Sequence, residues 1–238
     1  MNLLNKIALV TGASRGIGRA IALALVKEGC KIMLAARSQN DLGKVVQEIR
    51  RHGGEAAMVV ANMRDEKSIQ QMIAATIKQF GGIDILINNA GLGYFMPVLE
   101  MTTAQWDEMF EVNLRGVFIA TREALPHLRK QKESFIVNIA SLAGKNTFVN
   151  GGGYTATKWG LRAFSQCLML EERKNGVRVL VVCPGSVDTS FGHPSGNAPT
   201  AAGKEIIKPD DVAATIIMAL KMPQRSMVSE IDIRPTNP

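Results

Sequence analysis

Residues 11–18 read Thr-Gly-Ala-Ser-Arg-Gly-Ile-Gly, and they follow a short apolar run at residues 6–10. The three glycines of this Gly-x-x-x-Gly-x-Gly spacing let the backbone turn tightly and approach a pyrophosphate without a Cβ clash. Helical periodicity begins at residue 17, so the N-terminus of that helix points free N–H groups and partial positive charge at the phosphates. This order of strand, turn and helix predicts a dinucleotide-binding unit.

Outward from this turn, β-rich runs alternate with amphipathic helical runs to the end of the chain. The further strands are predicted at residues 31–35, 55–60, 83–88, 134–140, 177–182 and 226–233, and the helices at 17–28, 39–52, 66–80, 103–131, 153–174 and 209–221. This alternation predicts parallel pairing. We therefore predict a single α/β domain over residues 1–238, of the doubly wound Rossmann type, with a mainly parallel seven-stranded sheet and helices on both faces.

One segment interrupts this pattern. Residues 188–208 are polar, rich in Gly, Pro, Ser and Thr, and without periodicity. A loop of this length needs a functional explanation, and we predict a substrate lid.

Composition limits the class of protein. The chain is 46% hydrophobic and 21% charged, which is globular composition, and no apolar run approaches the ~20 residues of a membrane helix. Its start lacks the features of a signal peptide, so we expect a cytoplasmic protein without membrane association. The net charge of +7 comes from scattered lysines and arginines without a nucleic-acid motif, which favours attraction of anionic small molecules and no nucleic-acid partner. The cysteines and histidines lack ligand spacing, so we predict no metal site.

Further motifs follow the glycine-rich turn in order. They are Asn-Asn-Ala-Gly at residues 88–91, Asn113, Ser141, Tyr154-x-x-x-Lys158, and Pro184-Gly185 followed by Thr189. With the turn, and over residues 5–233, this set resembles the short-chain dehydrogenase/reductase family. The first two-thirds of the chain resemble its 3-oxoacyl-(acyl carrier protein) reductases. The C-terminal residues 231–238 depart from those reductases, so a general carbonyl reductase fits as well.

The residues after the second strand predict the cofactor. In dinucleotide folds an acid there binds the adenosine ribose and selects NAD, whereas this chain has Ala36 followed by Arg37. Arg37 and Arg15 can hold a 2′-phosphate between two guanidinium groups, which predicts NADP(H). Asn62 replaces the family's adenine-binding Asp, and its side-chain oxygen can still accept a hydrogen bond. Asp65 is better explained as a helix N-cap.

The resemblance implies a full set of cofactor-binding residues. They are Gly12, Ser14, Arg15, Gly16, Ile17, Gly18, Arg37, Asn62, Met63, Asn89, Ala90, Gly91, Tyr154, Lys158, Pro184, Gly185, Val187 and Thr189.

The catalytic prediction rests on Tyr154 and Lys158, which share one face of a helix. A neighbouring ammonium group and the positive ring of oxidised nicotinamide both lower the pKa of a tyrosine from its usual value of about 10. The resemblance implies that Tyr154 exchanges the substrate proton and that Lys158 holds the nicotinamide ribose and lowers the tyrosine pKa. It also implies that Ser141 positions the substrate oxygen and that Asn113 anchors a water of the proton relay.

Three functions remain open. The first is a reductase of a ketone or a 3-oxoacyl group, and the second is a dehydrogenase of a secondary alcohol, sugar or steroid. The third, a non-catalytic dinucleotide-binding sensor, is disfavoured because Tyr, Lys and Ser are all present. The resemblance also implies a homodimer or homotetramer, formed by the helices near residues 104–131 and 153–174.

The substrate is expected to be a small-molecule or acyl-thioester carbonyl compound. The resemblance places its walls near residues 92–96, 142–150 and 188–208. The mostly apolar side chains there are Leu92, Tyr94, Phe95, Leu142, Phe148, Val149 and Phe191. His193 and Lys204 are the polar candidates in the lid. Glycines 151–153 either free the backbone near the nicotinamide or cap the helix.

Overall fold

The computed structural model describes residues 1–191 and 206–236, and within them seven strands form one sheet. The strands are β1 (Ile7–Thr11), β2 (Lys31–Ala36), β3 (Ala56–Val60), β4 (Ile85–Asn88), β5 (Ser134–Ile139), β6 (Val177–Pro184) and β7 (Glu230–Ile233). Their order is β3-β2-β1-β4-β5-β6-β7, and every neighbouring pair is parallel. The predicted doubly wound sheet is confirmed, and it is parallel throughout.

The helices also follow the predicted pattern. They are α1 (Gly16–Lys27), α2 (Gln39–Arg51), α3 (Glu66–Phe80), α4 (Thr103–Phe110), α5 (Gly116–Leu128), α6 (Gly152–Glu172) and α7 (Pro209–Lys221). A π-helical segment, Glu111–Arg115, joins α4 to α5. The long helix predicted over residues 103–131 is therefore two α-helices joined by a wider π-helical turn.

The core lies on both faces of the sheet. Helices α1 and α7 cover one face, where Ile21 and Ile216 are fully buried, and α3 and α5 cover the other, with Met72 and Ile119. Adjacent strand residues point to opposite faces, so a strand covered on both sides is apolar at every position. This explains the continuous apolar runs in the sequence.

The topology gathers the carboxyl ends of all seven strands at one edge. The residues that follow them are Gly12, Arg37, Ala61, Asn89, Ala140, Gly185 and Arg234. Strand β1 pairs with β2 on one side and with β4 on the other, so the strand order reverses between β1 and β4. In open parallel sheets the ligand crevice lies at this reversal, beyond the carboxyl ends.

The predicted substrate lid, residues 188–208, lies largely outside the described residues, as do His193 and Lys204. Its two ends are held together, because the N–H of Asp188 donates to the carbonyl of Ile207 at 2.8 Å.

Over residues 1–191 and 206–236, none of the helices combines the length and apolar character of a membrane span.

Candidate active site

A cavity of about 1080 Å³ opens along the carboxyl edge of the sheet. Most of the predicted site residues line it: Gly12, Ser14, Arg15, Gly16, Ile17, Arg37, Asn62, Met63, Asn89, Ala90, Gly91, Ser141, Tyr154, Lys158, Pro184, Gly185, Val187 and Thr189. Gly18 and Asn113 are buried outside the lining. The fold therefore brings motifs that span almost the whole sequence to one cavity.

The glycine-rich turn needs its glycines for conformation and for space. Gly12 and Gly16 have φ values of +64° and +56°, in the left-handed region that disfavours other residues. A Cβ at Gly12 would stand 2.9 Å from the Cα of Ala90, and one at Gly18 would stand 2.4 Å from the carbonyl oxygen of Gly12. The turn is thus compact enough for a phosphate to reach the backbone of α1.

The N-terminus of α1 is suited to an anion. Arg15 at its N-cap makes no side-chain cap, and the first turn contains no acid, whereas Ser38 and Asp65 cap α2 and α3. The N–H groups and the positive end of the helix dipole are therefore left to a ligand.

Thr11 and Asn89 join this turn to β4. The hydroxyl of Thr11 accepts hydrogen bonds from the N–H groups of Asn89 (3.0 Å) and Ala90 (3.1 Å). The side-chain amide of Asn89 donates to the Thr11 carbonyl at 2.9 Å. Thr11, which is absent from the predicted cofactor set, thus holds the two strands on either side of the crevice together.

The arginines predicted to bind a 2′-phosphate lie at the β2 side of the cavity. Arg15 and Arg37 are exposed, and within the described chain neither forms an ion pair. The Asn62 side-chain oxygen already accepts the N–H of Arg64 at 3.1 Å, so an adenine amino group would share it. Asp65 is the N-cap of α3, as predicted.

The predicted catalytic side chains lie at the β5–β6 side. Tyr154 and Lys158 are both buried on α6, with the Lys158 ammonium nitrogen 5.7 Å from the centre of the Tyr154 ring. That nitrogen donates to the carbonyl of Ile139, at the end of β5, at 2.8 Å. The Ser141 hydroxyl follows β5 and donates to the carbonyl of Pro184, at the end of β6, at 3.4 Å.

Comparison with known proteins gives the family. The family model for short chain dehydrogenases matches residues 6–199. The chain belongs to the short-chain dehydrogenase family. It is 34% identical to an uncharacterized oxidoreductase of Staphylococcus aureus, with 98% of each chain covered.

Two solved structures share the fold at similar identity. One is an alcohol dehydrogenase of Thermococcus sibiricus complexed with 5-hydroxy-NADP (TM-score 0.91, 34% identity, 97% of each chain covered). The other is a metagenomic short-chain oxidoreductase in complex with NADP (TM-score 0.87, 35% identity, 99% of each chain covered). These relatives establish an oxidoreductase of the short-chain dehydrogenase family, whereas the 3-oxoacyl subgroup has no support beyond an approximate resemblance.

Burial controls the ionisation of this short-chain dehydrogenase's Tyr–Lys pair. Burial raises the pKa of Tyr154 to about 12, although a hydrogen bond with Ser141 acts to lower it. Burial also lowers the pKa of Lys158 to about 8. Burial thus has the larger effect among the groups that the chain itself supplies, while the predicted lowering of the Tyr154 pKa by Lys158 and oxidised nicotinamide together stays a prediction. The ammonium group is directed at the Ile139 carbonyl, and loss of hydration outweighs its effect on the phenol.

Asn113 holds a loop rather than facing the cavity. Its side-chain oxygen accepts the N–H of Leu92 at 2.9 Å, and its amide nitrogen donates to the Leu92 carbonyl at 2.8 Å. The same nitrogen donates to Thr157 of α6 at 3.1 Å. The side chain therefore fixes the loop after β4 against the helix that carries Tyr154, while its predicted water-anchoring role stays a prediction.

The glycine run before Tyr154 provides space. Gly151 is the N-cap of α6, and a Cβ there would stand 2.6 Å from the ring of Phe148. A Cβ at Gly153 would stand 2.2 Å from the terminal methyl of Met109, while one at Gly152 would make an ordinary contact with Val98 at 3.5 Å. A Cβ at Gly151 or Gly153 would thus displace a neighbouring side chain, and Gly151 also caps the helix.

Some lining residues differ from the predicted set. Arg234 and Pro235, directly after β7, line the cavity, and their position at the carboxyl edge is the signal that could have identified them. Tyr94, predicted as a substrate wall, is absent from the lining, because its hydroxyl donates to Glu108 of α4 at 2.7 Å. Phe95, Phe148 and Phe191 do line it.

Proposed function

We propose that the protein is an NADP(H)-dependent carbonyl reductase that transfers a hydride between the nicotinamide and a ketone. One observation carries this proposal: a single cavity joins the two arginines at its β2 side to Tyr154, Lys158 and Ser141 at its β5–β6 side. That arrangement suits a dinucleotide lying across the switch point of the sheet. The Thermococcus and metagenomic relatives are complexes with 5-hydroxy-NADP and NADP, which supports the same cofactor here.

The cavity fits NADP(H) part by part. The turn at Gly12 and Gly16 would receive the pyrophosphate at the uncapped end of α1, and Arg15 and Arg37 would hold the 2′-phosphate. Lys158, which lines the same cavity, would donate to the hydroxyls of the nicotinamide ribose. The bound nicotinamide supplies the hydride.

The chain supplies the proton. A pKa of about 12 keeps the Tyr154 hydroxyl protonated at neutral pH, so it can donate to the oxygen of a carbonyl being reduced. Ser141 shares this wall of the cavity and would orient the same oxygen.

The test compares two tyrosine variants. Tyr154→Phe should lower NADPH-dependent ketone turnover by at least about 100-fold and leave the dissociation constant of NADPH within about twofold. Tyr94→Phe is the matched control, because it also removes one hydroxyl but outside the cavity lining, and it should keep most of its turnover. Wild-type turnover by Tyr154→Phe would contradict the mechanism. If neither the wild type nor Tyr154→Phe oxidised NADPH with any ketone, the non-catalytic dinucleotide-binding sensor would be favoured instead.

The substrate branch of this proposal needs a separate comparison. The two branches are a general ketone and a 3-oxoacyl group, and rates with simple ketones and with an acetoacetyl thioester would distinguish them. Turnover of the thioester alone would assign the protein to the 3-oxoacyl reductases.

We also propose a homodimer formed through α4, α5 and α6. Trp106, Phe118 and Trp159 are each at least 40% exposed on these helices, and the ring of Phe110 stacks on Trp106 at 4.7 Å. Exposed aromatic surface of this extent indicates a contact with another protein surface.

The mass measured by light scattering should be twice that of the chain, and Phe118→Glu should lower the measured mass to that of the monomer. A monomeric wild type at micromolar concentration would contradict the proposal.

A further inference from the structure

Two phenylalanine rings lie next to the ring of Tyr154, and a third lies next to one of them. Phe95 meets Tyr154 edge-on, with ring centroids 5.3 Å apart, and Phe191 lies 5.6 Å from it. Phe148 extends the group, at 5.9 Å from Phe95. The three side chains come from separate segments, which follow β4, β5 and β6, so the tertiary fold builds this aromatic wall around the proposed proton donor.

The wall is only half covered by protein. Phe95, Phe148 and Phe191 are 39%, 47% and 39% exposed, although each lines the cavity. Large apolar side chains that converge in a cleft and keep this much accessible surface are typical of a ligand-binding wall. Burial of these rings by a bound apolar group would remove that surface from water.

The backbone is shaped to seat two of the rings. A Cβ at Gly151 would stand 2.6 Å from the ring of Phe148, and a Cβ at Gly93 would stand 2.8 Å from the ring of Phe95. Neither glycine has a positive φ, so glycine is needed at both positions for the space rather than for the backbone conformation. A residue larger than glycine at position 93 or 151 would therefore push the ring of Phe95 or Phe148 out of its present position.

Positive charge is scarce at this side of the cavity. Among the described lining residues, the cations other than Arg15 and Arg37 are Lys158 and Arg234. The Lys158 ammonium group is bound to the Ile139 carbonyl, and the Arg234 guanidinium lies 3.5 Å from the carboxylate of Asp232. A carboxylate or phosphate beside the reacting carbonyl would therefore find little compensation for its lost hydration among the described lining residues.

We infer that the substrate is a ketone that carries an aromatic ring and no negative charge next to its carbonyl, and that Phe95, Phe148 and Phe191 bind that ring. This inference rests on the carbonyl reduction proposed above. Aromatic rings attract one another through edge-on and offset contacts beyond the effect of buried area, so a phenyl ring gains more here than a saturated ring of similar size. With the substrate ring against this wall, the carbonyl group would lie on the Tyr154 side of the cavity.

Two ketones of matched size test the ring preference. Methyl phenyl ketone and methyl cyclohexyl ketone differ in aromaticity but hardly in volume. With the protein saturated by NADP⁺, which cannot reduce them, the phenyl compound should bind about fivefold more tightly. Equal dissociation constants, or tighter binding of the cyclohexyl compound, would overturn the inference. Because this measurement needs no turnover, it remains decisive if the proposed reduction fails, and that failure would appear separately as an absence of NADPH oxidation with any ketone.

Variants test whether these particular rings act on the substrate ring. Phe95→Leu and Phe148→Leu should each weaken phenyl binding about threefold to tenfold and change cyclohexyl binding less than twofold. Gly151→Ala keeps every aromatic ring but fills the seat of Phe148, so it should reproduce the selective loss. Phe80→Leu, at the end of α3 outside the cavity lining, is the matched control and should change neither ketone. An equal loss for both ketones in the site variants would mean that the rings only fill space, which would overturn the inference.

A charged compound tests the second half of the inference. A phenyl ketone with a carboxylate directly beside the carbonyl should bind at least about tenfold more weakly than methyl phenyl ketone. Tighter binding of the carboxylate, lost in Arg234→Gln, would show that Arg234 receives an anionic group and would overturn this half.

Discussion

Replacement of Lys158 by Met is expected to stabilise the protein while abolishing its activity. Lys158 is one of the few charged residues that the described fold buries almost completely, and burial lowers its pKa from 10.5 to about 8. The ammonium form is therefore disfavoured in the folded protein relative to the unfolded chain. Methionine has a similar length and needs no hydration, so it removes this unfavourable contribution.

The size of the effect follows from the pKa. A change from 10.5 to about 8 corresponds to about 3 kcal/mol of free energy, since one pKa unit equals about 1.4 kcal/mol. Methionine also leaves the Ile139 carbonyl without its 2.8 Å hydrogen bond, which costs about 1–2 kcal/mol. The free energy of unfolding of Lys158→Met at pH 7 should therefore exceed that of the wild type by about 1–2 kcal/mol.

The pH dependence separates this cause from better packing. Between about pH 8 and 10.5 the unfolded wild type binds more protons than the folded protein, so wild-type stability rises with pH across this range. The variant lacks this titration. The free energy of unfolding by which Lys158→Met exceeds the wild type should consequently decrease by about 1.4 kcal/mol between pH 7 and pH 9.

Urea unfolding followed by circular dichroism, at one protein concentration and at both pH values, measures this difference. Lys174→Met is the control, because Lys174 is exposed at the end of α6 and its replacement should change stability little at either pH. Ketone turnover by Lys158→Met should fall at least about 100-fold. A stability difference that stays constant from pH 7 to pH 9 would refute the reasoning.

Three further predictions concern the crevice and its supports. Arg37→Asp places an acid after β2, so KM for NADPH should rise at least about tenfold while KM for NADH falls, as measured by initial rates. Gly18→Ala puts a Cβ 2.4 Å from the carbonyl oxygen of Gly12, so NADPH binding should weaken at least about tenfold by fluorescence titration. Its control, Gly43→Ala, meets nothing within 4 Å on α2 and should preserve binding and raise stability slightly. Asp65→Ala removes the N-cap of α3 and should lower the free energy of unfolding by about 1 kcal/mol in urea.

Periodicity predicted the existence and order of the elements, but pairing determines where they end. Strand β7 was predicted from residue 226 and begins at Glu230, because its ladder with β6 starts at the pairing of Val181 with Glu230. Strand β4 was predicted from residue 83 and begins at Ile85. The carboxylate of Asp84 instead accepts the N–H of Ile7, which ends the regular ladder there. Such boundaries depend on partners that are distant in the sequence.

Most of the predicted site residues line one cavity, because several of the motifs directly follow strands and parallel strands share one carboxyl edge. Other features have no local signal. Phe95, Phe148 and Phe191 are more than forty residues apart, and only the sheet order brings their rings together. The burial of Tyr154, which raises its pKa, was equally invisible in the sequence.

Burial acts on the pKa values of Tyr154 and Lys158 in opposite directions. The pKa of the phenol rises to about 12 and that of the ammonium falls to about 8, so near neutral pH the tyrosine still carries its proton and the lysine still carries its charge. Desolvation of the Lys158 ammonium group costs the fold about 3 kcal/mol, and the apolar core on both faces of the sheet must offset that cost.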